Sequence, residues 1–144
     1  MKQYSDPRMH SAEHILNQTM VRMLGCDRCF SSHIEKKKSK CDYHFHRPLT
    51  RQEVDEIQAR VNQVIQEDLP VAQEFLDKQE ACDRYNLQKL PDHVNGKIRI
   101  VKIGGYDACP CIGEHVPSTS RIGTFSITTT SYKEGVLRIR YKLD

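Results

Sequence analysis

The sequence contains no tryptophan, and tyrosine and phenylalanine together account for only 7% of its residues. It has no apolar run of about 18 residues, so we expect no membrane-spanning helix. The first eleven residues, MKQYSDPRMHS, include no apolar segment, so we expect no secretion signal and a cytoplasmic protein. A chain of 144 residues can bury one hydrophobic core but is too short for separate nucleotide-binding and substrate-binding domains. We therefore expect a single domain over residues 1–144, with one site and no ATP site.

The sequence also lacks a large excess of charge of one sign. Its 22 Lys and Arg residues exceed its 19 Asp and Glu residues by only three, which is less than a dedicated nucleic-acid-binding protein usually shows. Basic residues are concentrated locally, and one dense run predicts an exposed turn that would contact phosphates if the partner were RNA. The candidate phosphate-contacting residues are Lys36, Lys37, Lys38, Lys40 and Arg121, with Arg138 and Arg140 as further candidates.

Six cysteines without an expected secretion signal indicate a reducing environment. There, cysteine more often binds metal, takes part in catalysis or fills the core than forms disulfides. Cys26 and Cys29 form a CxxC motif, which indicates a second zinc site only weakly because no partner pair accompanies it. We expect Cys29 and Cys41 to lie on strands as small apolar residues, and Cys82 to lie in the core of a helix.

Local patterns predict a mixture of helices and antiparallel strands. Asp6 followed by Pro7 is typical of a helix start, Gly25 of a helix stop, and Thr50 with Glu53 of a capping box. Residues 86–97 and 107–115 contain Pro and Gly and are predicted to form loops. The predicted helices cover 7–24, 51–69 and 78–85, and the predicted strands cover 29–38, 41–47, 71–76, 98–103, 124–132 and 136–143.

Two pairs of candidate metal ligands stand far apart in the sequence. His10 and His14 are four residues apart on a predicted helix, so both imidazoles project from the same face. Cys111 and His115 form a second pair in a predicted loop. Three imidazoles and a thiolate are a donor set that zinc favours. Two exposed helix histidines without a ligand role would show the same HxxxH spacing, so the pattern alone leaves both interpretations open.

Taken together, these motifs resemble those of the editing domains of alanyl- and threonyl-tRNA synthetases and of the free-standing, AlaX-type trans-editing proteins. His10-Ser-Ala-Glu-His14 and Cys111-Ile-Gly-Glu-His115 are similar to the paired HxxxH and CxxxH motifs of that family. Further similar segments follow in the same order along nearly the whole chain, at 49–71, 98–104, 121–123 and 135–139. The resemblance implies an α+β fold, with a curved, mainly antiparallel sheet packed around an N-terminal helix and a second long helix.

The same resemblance implies an activity and a cofactor. The expected reaction is hydrolysis of the ester that joins a wrong amino acid to the acceptor end of tRNA. Ser-tRNA(Ala) is the first candidate substrate and Gly-tRNA(Ala) a further one. The expected cofactor is a zinc ion that mainly orients the substrate, held by His10, His14, Cys111 and His115.

The resemblance also implies candidate acid–base and substrate-binding residues. Asp107 and Glu114 are candidate acid–base groups, or else partners that hold a ligating imidazole by its other nitrogen. Ser31 and Ser32 are candidates for recognising a serine hydroxyl, which would exclude alanine. Gly113 is a candidate substrate-binding residue in the loop between the two later ligands.

The sequence departs from the alanyl pattern at two positions in this loop. Ile112 and Glu114 stand where the CGGTH motif of the family has Gly and Thr, and residues 115–119 resemble threonyl-tRNA synthetases instead. Three alternatives therefore stay open. One is a Ser-tRNA(Thr) deacylase, another is a non-catalytic, zinc-stabilised RNA-binding module of the same fold, and the third is a hydrolase of small aminoacyl esters.

Overall fold

The computed structural model describes residues 6–87 and 96–144. Most of the loop predicted at 86–97 lies outside these residues, as does His93. Within them, no helix is both long enough and apolar enough to span a membrane. The elements are α1 (Pro7–Leu24), β1 (Ser31–His33), β2 (Ser39–His44), α2 (Arg51–Gln66), β3 (Val71–Leu76), α3 (Lys78–Arg84), β4 (Ile98–Ile103), β5 (Asp107–Pro110), a 3₁₀ turn (Thr119–Arg121), β6 (Phe125–Lys133) and β7 (Val136–Leu143).

The helix boundaries follow the predicted capping residues. Asp6 accepts a hydrogen bond from the backbone N–H of Arg8 at 2.9 Å and so caps the start of α1. Gly25 ends α1 in the left-handed conformation, with φ of 70°. Thr50 and Glu53 form the reciprocal capping box at the start of α2, as predicted.

The strands form two antiparallel sheets, which confirms the α+β class. One sheet has four strands in the order β1-β2-β7-β6, and the other has three in the order β3-β4-β5. Every strand pairing is antiparallel. The predicted hairpin of the last two strands is confirmed, and its turn places Glu134 and Gly135 at positive φ.

The main core lies between the two long helices and the inner face of the four-stranded sheet. Along β7, buried residues alternate with partly exposed ones from Val136 to Tyr141, as expected for a strand with one covered face, whereas β2 buries three consecutive residues, Cys41 to Tyr43. The covered residues are apolar or aromatic and pack with α1 and α2 in one cluster: Cys41, Tyr43, Leu137, Ile139 and Tyr141. This packing fixes α1, and therefore His10 and His14, against the rest of the fold.

Several details of the sequence-based prediction are wrong. Helix α2 ends at Gln66 instead of residue 69, and β2 covers Ser39–His44 instead of 41–47. Residues 107–110 are not part of a loop but form β5, because they pair with β4 from Ile103 to Ile100. Since β5 is an edge strand, Pro110 at its end interrupts no ladder hydrogen bond on its outer side. Cys82 is exposed, and its neighbour Ala81 is the buried residue of the short helix α3. The first predicted strand is shorter than expected, so Cys29 precedes β1, although it is buried as predicted.

Candidate metal centre and adjoining pocket

The structure brings the two predicted ligand pairs together. Helix α1 supplies His10 and His14, and the segment after β5 supplies Cys111 and His115. The possible ligand atoms of these four residues all lie within 4.8 Å of one another. The Sγ atom of Cys111 is 3.3 Å from Nε2 of His10, and the rings of His10 and His115 stack with centroids 4.1 Å apart. One nitrogen or sulfur donor from each residue can therefore reach a single ion.

The surrounding protein contacts Nδ1 of each imidazole, though not in the same way. Nδ1 of His10 donates to the backbone oxygen of Glu114 at 3.0 Å, and Nδ1 of His115 is 3.0 Å from the hydroxyl of Ser11. Nδ1 of His14 is buried without a hydrogen-bond partner in the described part of the chain, and it lies at an ion-pair distance of 3.5 Å from the Asp107 carboxylate. Such contacts orient metal-binding histidines and leave Nε2 as the ligand. In agreement, Nε2 of His115 is buried and has no hydrogen-bond partner in the described part of the chain.

Asp107 is a fixed anion behind His14. Its Oδ1 atom accepts hydrogen bonds from Gln18 at 2.8 Å and from Arg28 at 2.6 Å, and its Oδ2 atom accepts from Arg28 at 3.3 Å. Burial opposes ionisation of Asp107, but the neighbouring His14 and Arg28 outweigh it and hold the pKa of the carboxyl well below its usual range. Asp107 is thus suited to orienting His14 rather than to accepting a proton.

The charges within the cluster favour a cation. Burial alone would raise the pKa of Cys111, but the surrounding imidazoles lower it to about 2, so the sulfur is a thiolate. Burial alone would lower the pKa of His14, but Asp107 and Cys111 raise it to about 9. Burial lowers the pKa of His115 to about 4, so that imidazole is neutral. A thiolate with three imidazoles is a donor set that fits zinc.

An open pocket of about 370 Å³ adjoins this cluster. His10, His14 and Cys111 form part of its wall, and Gly113 also lines it. The strand β1 brings both predicted serines to the same pocket, Ser31 as an exposed residue and Ser32 as a half-buried one. The candidate ligands and the candidate substrate-binding residues therefore share one space.

Comparison with known proteins relates this site to a family. Residues 98–140 match the family described as the threonyl and alanyl tRNA synthetase second additional domain. The matched residues run from β4 through the Cys111 and His115 segment into β7, and so contain half of the candidate metal centre.

Relatives extend the similarity to the other half of the site. The chain is 34% identical to the alanine–tRNA ligase of Aeropyrum pernix over 97% of its length, and 35% identical to that of Caldivirga maquilingensis over 95%. It is 32% identical to the alanine–tRNA ligase of Methanopyrus kandleri over 93% of its length. These matches cover 16%, 17% and 15% of the respective ligases, so the chain spans about one sixth of the length of each.

Two residues of the domain that contact the site were missed in the sequence. Glu13 is buried, and its carboxylate lies 3.7 Å from Nε2 of His10 and accepts from the Cys29 thiol at 3.5 Å. Its position within the HxxxH motif, three residues after His10, could have identified it because residues at that spacing share a helix face. Arg99 donates to the backbone oxygens of Cys111, at 2.8 Å, and of Gly113, and so holds the ligand loop onto β4. No sequence motif marks Arg99.

The predicted role of Glu114 as an acid–base group receives no support from its side chain, which is exposed and lines a different pocket from the serines. Only the backbone oxygen of Glu114 contacts the cluster, where it accepts a hydrogen bond from His10.

The two cysteines of the CxxC motif contact different groups. Cys26 donates to the backbone oxygen of Met20, whereas Cys29 donates to the Glu13 carboxylate. Glu13, Cys29 and Cys41 form a second, fully buried group of possible ligand atoms.

The basic residues occupy two places on the domain. Lys36, Lys37 and Lys38 are exposed in the turn between β1 and β2, as predicted, and Lys40 on β2 lies opposite Arg140 on β7. Arg121 lies elsewhere, in the 3₁₀ turn, where its charge helps to lower the pKa of Asp68. The lysine turn directly follows the pocket-lining strand β1, whereas Arg121 is not part of that surface.

Proposed function

We propose that this chain is an aminoacyl-tRNA deacylase that hydrolyses the ester of mischarged tRNA. The first substrate we propose is Ser-tRNA(Ala), followed by Gly-tRNA(Ala), acted on in the cytoplasm and at a single site formed by residues 1–144. The observation that carries the proposal is the shared pocket, in which three candidate zinc ligands and two serines line one space. The match to alanine–tRNA ligases supports the choice of tRNA(Ala).

Zinc is the proposed cofactor, held by His10, His14, Cys111 and His115. When bound, it would supply a positive charge that attracts and orients the ester of the substrate. Four protein ligands fill a tetrahedral set, which favours an orienting role over the activation of water. The nucleophilic water must then be handled by another group of the chain.

Glu13 is the group best placed to accept a proton from that water. It is the one acidic side chain among the residues that line the pocket, whereas both oxygens of Asp107 are already occupied by Gln18 and Arg28. The water oxygen attacks the ester carbonyl carbon, and the bond to the ribose oxygen breaks. The ribose oxygen takes up a proton, so the products are a free amino acid and tRNA with an intact terminal ribose.

Ser31 and Ser32 are the proposed source of specificity for the amino acid. A hydroxyl group in the pocket can hydrogen-bond to the hydroxyl of a seryl ester, whereas an alanyl or glycyl ester offers no such group, which is why Gly-tRNA(Ala) stands second to Ser-tRNA(Ala). The half-buried Ser32 would be left without a partner by an alanyl ester, which disfavours alanine. Correctly charged Ala-tRNA(Ala) would therefore survive while Ser-tRNA(Ala) is cleaved.

The test is a deacylation assay in which the 144-residue chain receives tRNA(Ala) charged with serine, glycine or alanine, alongside Ser-tRNA(Thr). We expect rapid hydrolysis of Ser-tRNA(Ala), slower hydrolysis of Gly-tRNA(Ala) and none of Ala-tRNA(Ala). The variant Cys111→Ala should lose both zinc and activity while remaining folded. Cys82→Ala, which changes an exposed cysteine far along the chain on α3, should retain both. Full activity of Cys111→Ala, with no zinc found in either protein by elemental analysis, would overturn the mechanism.

The second candidate is a non-catalytic, zinc-stabilised RNA-binding module. It is favoured by Ile112, which is 62% exposed at the pocket and departs from the alanyl motif. Removing zinc with a chelator separates the two candidates, because a structural ion is required for folding whereas a functional one is not. A chelated protein that unfolds, and a native protein that binds tRNA without cleaving any ester, would favour this module. Cleavage of Ser-tRNA(Thr) alone would change the substrate but not the class of reaction.

A further inference from the structure

Two exposed apolar side chains stand at the rim of the candidate pocket. Among the described residues, three large apolar side chains are strongly exposed, namely Phe30, Phe75 and Ile112. Phe30 and Ile112 both line the pocket that contains the ligand cluster, whereas Phe75 lies on β3 in the other sheet. Exposed apolar groups gathered at a pocket indicate a surface that is covered when a ligand binds.

Phe30 is held as a rigid, flat surface. Its ring stacks on that of His44 with centroids 3.9 Å apart and an angle of 10° between the planes. Its backbone N–H donates to the oxygen of Asp42 at 3.0 Å, which ties it to β2. The residue nevertheless remains 42% exposed. One face of the phenyl ring is thus supported by the protein, and the residue still has surface available for a planar group.

The surroundings of Phe30 favour a nucleobase as that planar group. Phe30 is followed directly by Ser31, and β1 then leads into the turn that carries Lys36, Lys37 and Lys38. Aromatic platforms beside basic residues are the usual arrangement for binding single-stranded nucleic acid, because bases stack while lysines neutralise phosphates. A planar apolar ligand without phosphates would gain nothing from the lysine turn.

We propose that Phe30, supported by His44, stacks against the base of the terminal adenosine of the RNA substrate, with Ile112 as a second apolar contact. This inference rests on the proposed function, because the amino acid is esterified to the ribose of that same nucleotide. The ester must enter the pocket, so its base has to lie at the rim. Phe30 is then a positioning residue that holds the ester in register with the ligand cluster, and it takes no part in the chemical step.

The experiment uses a non-acylated acceptor-stem RNA whose terminal adenine is replaced by the fluorescent base 2-aminopurine. We expect the native, zinc-loaded protein to quench the fluorescence, since stacking on an aromatic ring quenches this base. Phe30→Leu keeps an apolar side chain but removes the ring, and should abolish quenching and weaken binding by about 5- to 150-fold, the range for loss of one stacked base. Phe30→Tyr should restore both. Phe75→Leu, which removes the other exposed ring, should behave as the native protein.

The outcomes are distinguishable from those of the deacylation assay, because the probe carries no ester. Quenching that is unchanged in Phe30→Leu, or native protein that does not bind the RNA, would overturn the proposed stacking on Phe30. If quenching depends on Phe30 but the protein cleaves no charged tRNA, the stacking proposal stands and the proposed deacylase activity is overturned. If Phe30→Leu is unfolded by circular dichroism, His44→Ala takes its place. That variant removes the support while leaving Phe30 itself, and it should reduce quenching.

Discussion

At the residue scale, the candidate metal ligands were predictable from the sequence, but the residues that contact and orient their side chains were not. The spacing of His10 and His14 places both on one helix face, and that argument needs no tertiary structure. The partners of their rings come from distant parts of the chain, as Asp107 does for His14. Such contacts depend on how α1 packs against β5, and no local pattern encodes that. For the same reason, the sequence did not predict the role of Arg99, which donates to two backbone oxygens of the ligand loop.

The role assigned to Asp107 predicts weaker metal binding when its charge is removed. Asp107→Asn should lower zinc affinity by about 10- to 100-fold, because the asparagine holds His14 less firmly and no longer favours a basic imidazole. Competition with a chromophoric chelator measures the change. The matched control is Asp42→Asn, since Asp42 binds Arg138 at 2.7 Å and 3.0 Å on the sheet and contacts none of the candidate ligands. Equal loss of affinity in both variants would contradict a specific role for Asp107.

The raised pKa of His14 predicts a defined pH dependence of metal affinity. In the metal-free protein His14 has a pKa of about 9, so below that pH it carries a proton that an ion must displace. Cys111, with a pKa of about 2, is already ionised. Apparent zinc affinity should therefore rise about tenfold per pH unit from pH 7 to 9, as expected for one displaced proton, and then level off. A chelator-competition series at constant ionic strength measures it, and an affinity that stays constant over this range would refute the His14 assignment.

At the scale of the elements, capping residues and alternation located most helices and strands. The elements that differ from prediction are those whose existence depends on a neighbour. β5 contains only four residues and ends in Pro110, so its own sequence favours a loop, but pairing with β4 supplies the hydrogen bonds that make it a strand. Asp107 begins this strand and Cys111 follows its last residue. A prediction that misses β5 therefore cannot show how these two residues reach the site.

The turn between β4 and β5 allows a test of this element. Gly104 has φ of 50°, and a Cβ atom there would lie 3.0 Å from Cδ1 and 3.1 Å from Cβ of Leu69. Gly104→Ala should lower the free energy of unfolding by about 1–2 kcal/mol, since a left-handed conformation and a close contact are both unfavourable. Gly105→Ala is the matched control, because a Cβ at Gly105 meets no atom within 4 Å. Urea unfolding compares them, and equal stability of the two variants would count against the turn geometry.

At the scale of the whole molecule, the two faces of the four-stranded sheet carry different kinds of side chain. Its inner face packs on the helices and fixes α1, while its outer face presents basic side chains from β2 and β7. Lys40 and Arg140 lie opposite each other there, and the acidic residue Asp42 is bound by Arg138. The pocket opens beside β1 at the edge of this sheet. A net charge of only +3 is therefore compatible with an RNA partner, because β2, β7 and the lysine turn present a local group of basic residues on one surface.

This arrangement predicts how RNA binding responds to salt. If Lys40 and Arg140 each neutralise a phosphate, the double variant Lys40→Gln, Arg140→Gln should reduce the slope of log affinity against log salt by about two. Uncharged tRNA suffices as the ligand, so the result does not depend on catalysis. Lys97→Gln is the matched control, because Lys97 already binds Asp77 at 2.6 Å and directly precedes β4 of the three-stranded sheet. An unchanged slope in the double variant, or an equal change in the control, would show that the RNA lies on another surface.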